Sequence, residues 1–355
     1  VNVTGVYLVQ LNKDYVRGKD LDIQMLFLKT EMTRLVDEEY PNVPANIARA
    51  RKVLECHQEP AKPISMACRK PYPCAFWQYC SKHIPKPSVF DLYRMSFEKA
   101  LKYYNNSIVT FEDVQSCKLT ARQQVQVVSH LTGKGTVDKK SIRDFLDQNI
   151  RYPLYFLDFE TMQDVIPQYE GTKPYQQIPF QYSLHWIEKP GGELKHTAFL
   201  AESGKDPRRD LAEQLCHDIP LNACITAYNK GFECGRINEL AEAFPALRYH
   251  LLNIRDNIVD FLDPFRAGYY YLPEMEGSFS VKKVLPALFP SDPQLDYSNL
   301  TGSVHNGGEA MTIFPKIKDM APADQQKARQ SLLDYCHLDT LAMVKIWQKL
   351  EEIGR

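Results

Sequence analysis

Asp158 and Glu160 stand one residue apart at the end of an aromatic and aliphatic run, Tyr155-Phe156-Leu157-Asp158-Phe159-Glu160-Thr161. Such a run predicts a buried strand, and residues i and i+2 of a strand point to the same face. The two carboxylates then converge on one point, where they repel each other unless a cation or a proton sits between them. A strand end with two solvated acids is the other reading of so short a pattern. Two later stretches add acids. Ala227-Tyr228-Asn229-Lys230-Gly231-Phe232-Glu233 follows the apolar run Ala223-Cys224-Ile225-Thr226 and reads as strand, turn and helix start, with Glu233 in the first helical turn. Leu332-Leu333-Asp334-Tyr335-Cys336-His337-Leu338-Asp339-Thr340 lies in a long helical pattern, and Tyr335 and Asp339, four apart, share one helix face.

The elements that must position these groups are legible around them. Residues 180–187 and 196–200 read as strands joined by a Gly191-Gly192 hairpin turn. A helix over 210–218, the strand at Cys224, a helix over 232–243, a short element over 258–262 and a closing helix over 324–353 follow. A hairpin first and strand–helix crossovers after predict an α/β domain, a mixed five-stranded sheet with helices on both sides. Upstream, residues 6–11 read as a strand, 23–39 as one helix with Met25, Leu26, Leu28, Met32 and Leu35 as its apolar stripe, and 45–56 as another. Residues 91–150 read as a helical connector without chemistry of its own. The expected division is 1–90 (small, α+β, cysteine-bearing), 91–150 and 151–355.

The ordered set DxE, N-x-x-F-E and Y-x-x-x-D resembles the DEDD superfamily of 3'–5' exonucleases, in its tyrosine-type branch, over roughly residues 151–355. The sibling branch would place a His where this chain has Asp334. The resemblance implies a ribonuclease H-like fold and two magnesium or manganese ions held by Asp158, Glu160, Glu233 and Asp339. In such a site the cations, about 4 Å apart, activate a water and stabilise the leaving oxygen of a phosphodiester. Tyr335 would orient the water. The superfamily usually has Asp where this chain has Glu233, a hard oxygen ligand one methylene longer. Asp260 reads as a metal ligand in place of Glu233, as an acid that supports the ligands from behind, or as a helix cap. Asn229 is a candidate for a substrate sugar or a turn residue, and Lys282, after a Gly-Ser turn, a candidate for phosphate. His185, between Leu184 and Trp186, reads as a core histidine. Tyr269, Tyr270 and Tyr271 would stack bases or pack in the core. The implied activity is hydrolysis of single-stranded DNA or RNA from the 3' end, in DNA repair or defence. The competing expectation is a catalytically weak nucleic-acid-binding module.

Cys68, Cys74 and Cys80 lie in a proline-broken loop with five residues between each pair. Thiolates suit an iron–sulfur cluster or zinc, and four are the usual number; three buried thiols without a metal is the alternative. After a strand like that over 6–11, the stretch resembles the C-terminal cysteine clamp of RecB-like nucleases. It departs from their spacing and lacks a recognisable nuclease motif of that family in residues 1–90. By this resemblance a 4Fe-4S cluster or Zn2+ would be held by these three, with Cys56 as candidate fourth ligand.

Composition bounds the rest. The 355 residues, 44% hydrophobic and 25% charged, describe a globular chain of two or three domains. A formal net charge of -1 gives no global basic field, so nucleic acid must be met by local patches. No apolar run has the length of a membrane span. Nine cysteines, an odd number, point to a reducing cytoplasm rather than a disulfide scaffold. The start at Val1, without Met and close to a strand, is expected of a fragment of a longer protein.

Overall fold

A computed structural model describes residues 3–355. The chain divides into two compact units, residues 3–80 with 164–176 and residues 81–163 with 177–355. The helical segment expected as a connector therefore belongs to the larger unit.

The smaller unit holds β1 (Tyr7–Leu11), α1 (Ile23–Leu26), β2 (Phe27–Glu31), α2 (Thr33–Glu39), α3 (Val43–Leu54) and α4 (Trp77–Cys80). The single helix expected over 23–39 is instead two helices interrupted by a strand. Asp22 caps α1 by accepting from the N–H groups of Gln24 and Met25, and the chain then straightens to pair antiparallel with β1, Leu11 opposite Phe27 and Tyr7 opposite Glu31. An isolated β1 would have no partner for its backbone groups, and this pairing outweighs the helical period of the apolar stripe. Tyr15, Leu26 and Ile64 are buried, whereas Val9, Ile23, Met25 and Leu54 are exposed.

The larger unit begins with α5 (Phe97–Asn105), α6 (Ala121–Thr132), the two-residue β3 (Thr136–Val137) and α7 (Lys139–Asn149). It continues through β4 (Leu154–Gln163), β5 (Gln177–Ile187), β6 (Lys195–Leu200), α8 (Arg208–Asp218), β7 (Cys224–Ala227), α9 (Gly231–Ala243), α10 (Arg248–Asp256) and β8 (Ile258–Asp260). It closes with α11 (Asp263–Ala267), β9 (Tyr270–Tyr271), α12 (Val281–Leu288), α13 (Gly307–Ile313) and α14 (Pro322–Gly354). Five strands form one sheet in the order β6-β5-β4-β7-β8. The β4–β5–β6 pairs are antiparallel and the β4–β7–β8 pairs parallel. This is the mixed α/β sheet with flanking helices expected of a ribonuclease H-like domain.

Alternation along β4 decides which face each residue serves. Tyr155, Leu157 and Phe159 pack with Leu211, Leu215, Ile237 and Leu251 of α8, α9 and α10. Leu154 and Phe156 pack on the other face, with Met343, Ile346 and Trp347 of α14 and Ile142 of α7. Asp158 and Glu160 share the parity of Leu154 and Phe156, so they face α14. Two bonds hold that helix down: Gln181 Nε2 donates to the Leu332 carbonyl in a buried bond of 2.8 Å, and Arg143 Nε donates to the Gly354 carbonyl in a half-buried one of 2.6 Å. The short β3–β9 pair brings Gly135 against Tyr271 and Leu272 so closely that a Cβ would lie 2.7 Å from the Tyr271 carbonyl oxygen. Tyr270 and Tyr271 are buried in the core, which decides between the two expected uses of that aromatic patch.

Candidate active site

Four acids meet where β4, α9 and α14 come together. β4 delivers Asp158 and Glu160, and its pairing with β5 shifts register between Glu160 and Thr161, a bulge of the kind that re-aims side chains. Glu233 sits in the first turn of α9, where the helix dipole favours a negative charge. Asp339 comes from α14, one turn after Tyr335. A cavity of about 330 Å³ is lined by Asp158, Glu160, Tyr335, Asp339, Lys282 and Tyr228, among others.

The electrostatics of the cluster are those of acids pressed together out of water. Burial, then the charges of Asp339, Glu160 and Glu233, hold the Asp158 carboxyl well above the usual range. Burial and Asp339 push Glu160 up to about 8, against the pull of Lys282. Burial, reinforced by Asp260, raises Glu233 to about 8, although Arg236 works the other way. Glu233 is 3% exposed, and its Oε2 has no hydrogen-bond partner among the described residues. Asp339 is raised by burial to about 6, held back by hydrogen bonds from Tyr297 and Tyr335 and by Lys282. The Tyr297 hydroxyl donates to Asp339 Oδ1 at 2.5 Å, and the two tyrosine rings lie 6.0 Å apart between centroids. Burial and the neighbouring carboxylates push the Tyr335 phenol far up, so it stays a proton donor. Cys336 is fully buried, with Sγ 3.9 Å from both the carbonyl and Oδ2 of Asp158. Burial and the acids keep it a thiol.

Asp260 is held differently. Its Oδ1 accepts from the Asn229 and Leu262 N–H groups at 2.8 and 3.0 Å, and its Oδ2 is paired with Arg266 at 3.0 Å. Both oxygens are engaged within the protein, on the turn that leads into α9 and on the residues that lead into and form α11, so Asp260 braces these segments behind Glu233 and caps neither helix. Asn229 adopts φ 68°, a left-handed turn position that asparagine tolerates. Its N–H is what anchors the turn to Asp260, in keeping with the turn reading. Lys282, at the start of α12, is brought into the acid cavity. Cys56 is exposed, and Cys68, Cys74 and Cys80 are half-buried free thiols. A backbone bond from Cys74 N–H to the Cys68 carbonyl closes their loop at 3.0 Å. Among the described residues, no three of these cysteines bring their sulfurs within 4.8 Å of one another, whereas Asp158, Glu160 and Cys336 do bring their ligand atoms that close. Mutual approach on that scale is what a single zinc requires; a cubane cluster holds its thiolates further apart.

Two members of the site have no signal in the sequence. Tyr297 belongs to a short 3-10 turn, Tyr297–Asn299, 42 residues from the acid it serves. Cys336 adjoins Tyr335 in the Y-x-x-x-D stretch, but only the packing of α14 on β4 makes it a neighbour of Asp158.

Residues 155–280 match a family described as "Domain of unknown function (DUF2779)". The chain is also similar to "Uncharacterized protein UU173" of Ureaplasma parvum serovar 3 (strain ATCC 700970), 28% identical over 218 residues, which is 54% of this chain and 30% of that protein. The chain thus covers less than a third of that relative's length. No solved structure matches. The matched family region contains Asp158, Glu160, Glu233 and Asp260 and ends before Tyr335 and Asp339.

Proposed function

We propose that the larger unit is a divalent-cation-dependent 3'–5' exonuclease that hydrolyses single-stranded DNA or RNA. The observation that carries the reading is the convergence of Asp158, Glu160, Glu233 and Asp339, each raised above its ordinary ionisation by burial and at least two of them by one another. A fold that gathers four acids without bringing a matching cationic set spends stability on them, and such expense is typical of functional sites. The donor set suits magnesium or manganese: hard carboxylate oxygens, a buried Glu233 oxygen with no other partner, and a cavity with room for waters. Asp158, Glu160, Glu233 and Asp339 would hold the ions. When bound, the cations would supply charge stabilisation at the phosphodiester and lower the pKa of water.

The chain's own groups divide the remaining tasks. Tyr335, kept protonated, orients the attacking water while its hydroxyl leans on Asp339. Tyr297 also donates to Asp339, at Oδ1, and so helps to hold that carboxylate in place at the cavity. Lys282 offers its ammonium to a phosphate oxygen. It also lines a second cavity of about 580 Å³, with Phe289 and Tyr297, which gives the next nucleotide a place beside the reacting one. Polarity and a role in DNA repair or defence rest on the motif resemblance.

The test is cleavage of end-labelled single-stranded DNA and RNA oligonucleotides in magnesium or manganese, beside an Asp158→Ala control. A ladder shortening from the 3' end, absent in the variant, is the expected result. Equal cleavage by the variant would remove the acids from the mechanism. Binding without cleavage in either metal would favour the nucleic-acid-binding module.

A further inference from the structure

Three histidines from three elements meet on the face of the sheet that α14 covers. His185 on β5 and His196 on β6 are cross-strand partners, and His337 projects from α14. The ring centroids are 4.4 Å apart for His185–His196, 4.8 Å for His185–His337 and 4.4 Å for His196–His337. One ring nitrogen from each lies within 4.8 Å of the other two. His185 is buried and His196 exposed, so the cluster runs from the interior to solvent and has an entry path.

The hydrogen bonds around the rings set their tautomers. Thr340 Oγ1 lies 3.1 Å from the His337 carbonyl, 2.8 Å from His185 Nδ1 and 2.7 Å from Ser183 Oγ. Ser183 Oγ lies 2.9 Å from His196 Nε2. A carbonyl only accepts, so the single Thr340 proton goes to His337 O. For all four bonds to exist together, His185 Nδ1 and Ser183 must then donate to Thr340. Ser183 has spent its proton, so His196 Nε2 must donate to Ser183. This leaves lone pairs on His185 Nε2 and His196 Nδ1. A ring that donates one N–H to an oxygen and presents the other nitrogen bare is the arrangement found around metal-bound histidines.

We infer that His185, His196 and His337 form a second metal site, specific for a divalent transition metal such as zinc and separate from the carboxylate site. Imidazoles suit zinc, whereas magnesium and manganese prefer oxygen. Three histidines with a fourth position open to solvent are an accepted zinc ligand set. A metal here ties β5 and β6 to α14, the helix that carries Tyr335 and Asp339, and so fixes the register of that helix against the sheet. The inference does not depend on the carboxylate site being a nuclease.

The experiment uses the full chain, stripped with chelator and held in excess magnesium to occupy the carboxylates. Zinc is titrated against a chromogenic chelator, and cobalt(II) is used for its visible spectrum. The expected result is one equivalent of zinc and a four-coordinate cobalt spectrum in the wild type and in Asp158→Asn, both lost in His196→Ala and His196→Asn. His196 is exposed, so these variants should keep the wild-type circular dichroism. Zinc should also raise the melting temperature of the wild type and leave that of the His196 variants unmoved. No stoichiometric zinc in the wild type, or binding that survives in His196→Ala and disappears in Asp158→Asn, would overturn the inference.

Discussion

The carboxylate cluster of the larger unit and the cysteine loop of the smaller one were both expected to hold metal, and the fold treats them differently. The acids stand on a central strand, a helix start and a long helix, each packed into a buried core. Their positions are set by elements that cannot move independently, so the repulsion among them persists. The cysteines sit on short elements and irregular chain: Cys68 ends a 3-10 turn and Cys80 ends α4, each without a buried residue, and Cys56 faces solvent. A metal would have to organise that loop, whereas the acids are organised before any metal arrives. Preorganisation of a site depends on the elements that carry it more than on the ligands themselves.

The largest effect should come from the acids. Asp158→Asn or Asp339→Asn is expected to lower cleavage about a thousandfold, the equivalent of about 4 kcal/mol at the transition state. Single-turnover rates on a labelled oligonucleotide measure it, and a loss under tenfold would break the contrast with the cysteine loop. Tyr335→Phe removes one oriented hydroxyl and should cost about a hundredfold in rate with little change in substrate binding. A variant that binds poorly and turns over normally would reassign the tyrosine to substrate contact.

Asp260→Ala sharpens the comparison from within the same sheet. It strips buried partners from Arg266, Asn229 and Leu262, so it should destabilise the protein by about 2–3 kcal/mol in urea unfolding. Asp158→Asn should instead stabilise the metal-free protein, because it replaces an acid whose ionised form is disfavoured by burial and by its acidic neighbours. If both variants lose stability alike, the acid cluster is better satisfied than its geometry indicates.

The pH dependence of the metal-free protein follows from the raised acids. Unfolded, Glu160 and Glu233 ionise near 4.5 and Asp339 near 3.8; folded, they do so at about 8, about 8 and about 6. Between those limits the folded chain keeps protons that the unfolded chain has released. This contribution to stability is therefore full on the acid side and falls as pH rises from 3.8, where Asp339 begins to release its proton in the unfolded chain, to about 8. Melting temperatures between pH 5 and 8 should show the decline, Glu160→Gln should flatten it, and manganese should offset it most at the alkaline end. The smallest effect is expected at the other region: Cys68→Ser with Cys74→Ser should leave cleavage within about twofold, as expected where the two units act independently. A larger loss would tie the loop to catalysis.

Much of the candidate site was legible because its parts obey local rules. A period of two set Asp158 and Glu160 on one face of a strand, and a separation of four put Tyr335 and Asp339 on one face of a helix. The strand–turn–helix pattern located Glu233. Where a choice rested on partners far along the chain, local rules were silent or misleading. The apolar stripe over 23–39 is helical in period, yet Phe27–Glu31 is a strand because β1 offers it hydrogen bonds. Nothing local in the sequence shows that both oxygens of Asp260 are taken by Arg266, Asn229 and Leu262, because Asn229 lies on a separate strand–turn–helix unit.

By itself, then, the sequence determined the class of the larger domain, the strand and helix faces on which its acids ride, and the absence from the described residues of a helix long and apolar enough to cross a membrane. Those properties depend on composition and on periods of a few residues. Only the tertiary structure decided that the acids meet, that Tyr297 braces Asp339, that Cys336 lies against Asp158, and that three histidines spread over more than 150 positions come together. Burial and proximity are products of packing, and it is burial and proximity that turn ordinary side chains into raised acids and bare imidazole nitrogens.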